Sequence, residues 1–125
     1  MSKKYVVMLV AVYSLLAITS VYAHHGTAAY DSSKTVTVTG PVSAYAFVNP
    51  HVMISIDVKN SSGKVEQWEG EMTSPNHLQR TGWTKNTLKI GDQVTLSGTP
   101  SKSGSNTMVI HKVLKEGQEI QLTTE

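Results

Sequence analysis

The chain has 125 residues, 39% hydrophobic and 16% charged, with 11 basic side chains against 9 acidic ones and no cysteine. This is enough for one small domain, and the lack of thiols excludes disulfide staples, thiolate metal sites and cysteine nucleophiles, so the core alone must hold the fold. The excess of basic groups comes from Lys3 and Lys4; without them the charges balance, giving no warrant for a nucleic-acid or anionic-membrane surface.

Lys3 and Lys4 precede an apolar run from Tyr5 to Ile18, and Val21-Tyr22-Ala23 offers small residues where a signal peptidase reads. The pattern predicts a secretory signal peptide over 1–23, with a retained membrane anchor as the alternative. No lipobox cysteine is available for a lipid. Cleavage would leave a periplasmic or secreted chain that begins His24-His25-Gly26 and has no stable membrane insertion.

Residues 24–34, HHGTAAYDSSK, follow no periodicity and read as an arm leading to a domain over 35–125. Val36, Val38, Val42, Ala44, Ala46 and Val48 then alternate with Thr37, Thr39, Ser43 and Tyr45. This is a long first strand, and the same parity resumes at Val52, Ile54, Ile56 and Val58 after Asn49-Pro50. The even side is expected to face a core along the whole ribbon. Gly40-Pro41 marks a bulge or sharp coil inside strand one.

Asn60-Ser61-Ser62-Gly63 is a hairpin loop, and Lys64–Met72 is strand three, with Trp68, Gly70 and Met72 on one face and Gln67, Glu69 and Glu71 on the other. Ser74-Pro75 is an N-cap followed by proline at the first helical position, and Gly82 is a stop, so PNHLQRT forms a short helix. Val94, Leu96 and Gly98 define strand four. TPSKSGSN is a loop, Met108–Leu114 is strand five, and Gln118–Leu122 is a terminal edge strand. Three strands, a short helix and two more strands predict an all-β, five-stranded OB-like barrel, with a long coiled first strand and the helix between strands three and four plugging one end.

Five histidines carry the chemistry that can be argued. Cleavage after Ala23 would give His24 a free α-amine beside its imidazole, a pair able to chelate copper as a histidine brace when another histidine completes the set. His25 is adjacent, His51 stands at the turn between strands one and two, and His111 lies on strand five; these four are the candidate metal ligands. His77 and Asp31 are further donors. The plain alternative is a polar arm, a turn histidine and surface imidazoles with no metal. Tyr45, Phe47 and Asn49, at the end of strand one, are candidate ligand-binding residues, whereas Trp68 and Trp83 read as core. Glu69 and Glu71 share a strand face, as carboxylates on any solvated sheet do. No nucleophile motif, phosphate loop or H-E-x-x-H is present, so no enzyme is expected.

HHG…AAYD, VTGPV…FVNPHV, the W-E-G-E strand, SPNHL-x-R-x-GW and GDQVTLSG…GSNTMVIHKV together resemble a group of small exported bacterial proteins catalogued as domain of unknown function 6152. More distantly, the strand order is similar to that of periplasmic bacterial OB-fold proteins implicated in binding and stress tolerance. The resemblance implies an exported single domain and supplies no catalytic residues. The expected function is a non-enzymatic periplasmic module for a small ligand or an exported protein partner, without nucleic acid. Its alternatives are a copper chaperone, store or delivery protein, and an accessory subunit of a larger exported complex.

Overall fold

The computed structural model describes residues 26–123. The expected signal peptide, His24 and His25 lie outside the described residues. Strand β1 (Val36–Ala46) pairs along its first half with β4 (Gln93–Pro100), from Val36↔Gly98 to Pro41↔Gln93. Its second half pairs with β2 (Met53–Lys59), from Val42↔Ile56 to Ala46↔Met53. One strand therefore serves two sides of a barrel, as expected of a long first strand coiled near Gly40-Pro41.

The irregularity that permits this lies just beyond the expected Gly40-Pro41. Val42 faces Ile56 and Ala44 faces Ser55, so Ser43 is the extra residue of a bulge. Gly40 serves a different purpose: a Cβ there would stand 2.0 Å from the carbonyl oxygen of Asp57, so only glycine lets the two backbones cross. The bulge also overturns the expectation of one unbroken apolar face, because a single inserted residue exchanges the inward and outward sides. Val42 is buried upstream of it. Downstream, Tyr45 and Phe47 turn inward and pack on the core, while Ala44 is exposed and Val48 is 56% exposed.

Strands β2 and β3 (Val65–Glu71) form an antiparallel hairpin, from Lys59↔Val65 to Met53↔Glu71. Its turn is held by the Asn60 side-chain oxygen, which accepts the N–H groups of Ser62 and Lys64, both at 3.0 Å. Helix α1 (Pro75–Gln79) starts as the sequence predicts. Ser74 accepts the His77 N–H, Pro75 occupies the first turn, and Leu78 is buried. Trp83 follows, fully buried, and its indole N–H donates to the Gln121 carbonyl at 2.8 Å, tying the helix end of the barrel to the C-terminal segment.

Strand β5 (Thr107–Lys115) pairs antiparallel with β4, and a short β6 (Gln118–Ile120) adds outside it. Closure comes from a parallel pairing of β3 with β5, Glu69↔Thr107 to Glu71↔Val109. The result is a closed five-strand barrel with one short helix between β3 and β4, the OB-fold arrangement. Ile54, Ile56, Leu96, Met108 and Val113 fill its centre. Among the described residues no helix is long and apolar enough to cross a membrane.

Candidate functional site

The seam where β3 meets β5 carries the densest group of chemically useful side chains. Outward-facing residues of β3 alternate with core residues, so Glu69 and Glu71 face out while Gly70 and Met72 are buried. The chain ahead of β2 brings His51 alongside: the Val52 N–H donates to the Thr73 carbonyl at 3.1 Å, and the Met72 N–H donates to the Val52 carbonyl at 2.8 Å. His51 thus sits at the end of the β2–β3 ladder, where its Nδ1 contacts Glu71 Oε1. Half of the His51 side chain is exposed and 28% of that of Glu71.

The amino-terminal arm covers this seam. A single 3-10 turn, Thr27–Ala29, leads to Tyr30, which bridges to Ser101 in the β4–β5 loop. The Asp31 N–H donates to the Pro100 carbonyl and the Lys102 N–H to that of Ala29, both at 2.9 Å. The Tyr30 hydroxyl donates to Glu71 Oε2 at 3.3 Å. Burial, and after it the neighbouring Glu71 carboxylate, push the Tyr30 phenol above its usual range, so the phenol keeps the proton it donates.

A hollow of about 290 Å³ opens between arm and barrel, lined by Gly26, Tyr30, His51, Glu71, Met72, Thr73 and Val109. Gly26, the first described residue, is therefore in the same hollow as His51. An adjoining hollow of about 350 Å³ is lined by Tyr30, Ser32, Thr99, Val109 and His111. There His111 Nε2 is hydrogen-bonded to Thr99 Oγ1 at 2.7 Å. A third, of about 260 Å³, places His77 and His111 around Leu78 and Leu122. His51 and His111 lie on the same side of the barrel but in separate hollows. Among the described residues no three His, Asp or Glu side chains assemble as a metal-binding group.

The candidate ligand-binding residues at the end of β1 do not share one exposed face. Tyr45 stacks obliquely between Phe47 (6.2 Å) and Trp83 (6.4 Å), and its hydroxyl donates to the Thr84 carbonyl at 2.7 Å. Both Tyr45 and Phe47 are half-buried against the core because of the Ser43 bulge. Asn49 is exposed and joined to Pro50 by a cis peptide bond.

Sequence reasoning named His51 and Glu71 separately but did not join them. The hairpin register contained the signal: a loop that pairs Lys59 with Val65 also pairs Met53 with Glu71, two residues from His51. Nothing in the sequence placed Tyr30 over Glu71, 41 positions away.

Barrel topology, helix position and arm together define an OB-fold domain, and solved structures with the same barrel agree. Rim1, a mitochondrial single-stranded DNA-binding protein from S. cerevisiae, is 9% identical with a TM-score of 0.51 over 68% of this chain and 95% of its own. A second crystal form of Rim1 gives 8% identity and a TM-score of 0.50 over 74% and 97% of the two chains. The N-terminal domain of PriB from Thermoanaerobacter tencongensis is 15% identical, with a TM-score of 0.48 over 66% and 96%. No curated protein matches the chain. The family of unknown function DUF6152 matches residues 12–110, and the chain belongs to that family.

These neighbours correct one expectation. A nucleic-acid partner was excluded because the charges balance, yet the barrel is shared with Rim1, a single-stranded DNA-binding protein. Net charge sums over the whole surface and is silent about any one groove, so the exclusion does not stand.

Proposed function

We propose that this chain is an exported, non-enzymatic OB-fold protein that binds copper where its amino-terminal arm meets the barrel. In this reading the segment through Ala23 is removed, His24 supplies its α-amine and imidazole, and His51 supplies a third nitrogen. Three nitrogen donors of this kind favour copper over zinc and nickel. His25 is an alternative donor beside His24.

The observation that supports this reading is the position of Gly26. It lines the hollow that also contains His51, and two residues of chain span at most about 7 Å, so covalent geometry keeps His24 within reach of that hollow. His111 has its Nε2 engaged by Thr99 and lines the adjoining hollow instead.

The test is a copper(II) titration of the chain prepared with His24 as its first residue. Submicromolar binding is expected, weakened at least tenfold by His51→Ala and by one extra residue ahead of His24. Absent binding, or binding indifferent to both changes, refutes the proposal.

A further inference from the structure

The copper reading leaves two strong side chains at the site without a task. Glu71 is the carboxylate nearest to His51, yet both of its oxygens are occupied: Oε1 contacts His51 Nδ1 and Oε2 accepts the Tyr30 hydroxyl. A carboxylate committed in both directions is poorly placed to be a ligand itself. It is well placed to hold one.

We infer that Glu71 and Tyr30 are positioning residues that set His51 to bind metal through Nε2. The inference rests on the copper reading and adds to it which ring nitrogen binds and what holds the ring. An ionised carboxylate only accepts hydrogen bonds, so contact with Nδ1 selects the ring form that carries its proton there. The Nε2 lone pair is then free for a metal. Metal-ligating histidines commonly donate their other N–H to a carboxylate, which fixes the ring and raises its basicity.

The support behind Glu71 is rigid. Its backbone lies between two strands, paired with Met53 on β2 and with Val109 on β5 at the barrel closure. Tyr30 is held by the bridge to Ser101 and by the flanking bonds to Pro100 and Lys102. It also belongs to the arm that carries His24, six residues earlier in the sequence. On the copper reading, the segment whose sequence holds one ligand also orients the other, through Tyr30 and Glu71. Seating the arm and aiming His51 become a single event.

Two measurements test this. In the metal-free chain beginning at His24, ¹⁵N NMR of the His51 imidazole at a pH where it is neutral is expected to show the proton on Nδ1; a proton on Nε2 overturns the inference. For copper(II), Glu71→Ala is expected to weaken binding about 10- to 100-fold. Glu71→Gln, whose amide oxygen still accepts the Nδ1 proton, should recover most of that loss, and Tyr30→Phe should cost a few-fold. The nitrogen hyperfine pattern in electron paramagnetic resonance should change with Glu71→Ala and persist with Glu71→Gln. Wild-type affinity and spectrum in Glu71→Ala overturn the inference while leaving the copper reading intact. If the wild-type chain takes up no copper, the copper reading falls and the metal-free tautomer still decides whether Glu71 positions His51. The tautomer also decides if Glu71→Ala fails to fold.

Discussion

Replacing Gly40 by alanine probes the crossing that lets β1 serve two sides of the barrel. The new Cβ would lie 2.0 Å from the Asp57 carbonyl oxygen and 2.9 Å from its carbon, and both are backbone atoms that no rotamer change can move aside. An ordinary carbon–oxygen approach is about 3.3 Å, so the strands must part by roughly 1 Å. Overpacking of this kind costs about 1–3 kcal/mol, and one disturbed ladder bond adds about 1 kcal/mol. The expected loss is about 2–4 kcal/mol, a large share of the roughly 5–15 kcal/mol that holds a domain. In urea, with a slope of about 1–3 kcal/mol/M, the midpoint should fall by about 1–2 M. Gly82→Ala is the control: its φ of +91° strains any side chain, but no atom lies within 4 Å of the new Cβ. That change should cost only about 1–2 kcal/mol. A Gly40→Ala midpoint within about 0.3 M of wild type, or a loss no greater than that of Gly82→Ala, would refute the argument from close approach.

Two further outcomes follow from the helix end of the barrel. Trp83→Phe removes both buried volume and the bond to the Gln121 carbonyl; about 1–3 kcal/mol should be lost, with faster hydrogen exchange across 118–122, and unchanged exchange there would separate the C-terminal segment from the indole. Burial pushes the Tyr45 phenol up to about 12, so the folded state keeps a proton that the unfolded chain releases above pH 10. Stability should therefore fall as pH rises from about 10 to 12, by roughly 1 kcal/mol once solvent screening is allowed for. Denaturant midpoints of Tyr45→Phe should fall less over that range, and parallel curves for the two proteins would contradict the assignment.

The elements were legible because each carried a local signal. Alternation marked the strands, Ser74-Pro75 marked the helix start, and Gly82 marked its end with a positive φ. The side-chain faces after Ser43 were not legible, since the Gly40-Pro41 signal pointed a few residues too early and Ser43 itself carries no mark of the bulge that reverses Tyr45 and Phe47 relative to Val42. Small residues such as Ala44 and Ala46 suited either side, so the alternation ran on past the point where it had changed meaning. At the site, His51 stood out by chemistry alone. Its partners depended on a hairpin register for Glu71 and, for Tyr30, on an arm whose docking is made of backbone bonds that carry no composition.

The parallel β3–β5 pairing has a consequence for when the site exists. His51 and Glu71 belong to a local hairpin, which can form early, but Val109 and the loop that receives Tyr30 come from the far end of the sequence. Contacts of such long separation are the slow ones in folding, because the chain loses loop entropy before they form. The hollow between arm and barrel is thus among the last features to appear as the chain folds. Until β3 meets β5, His51 and Glu71 can stand side by side without Tyr30 and Val109, which complete the hollow around them.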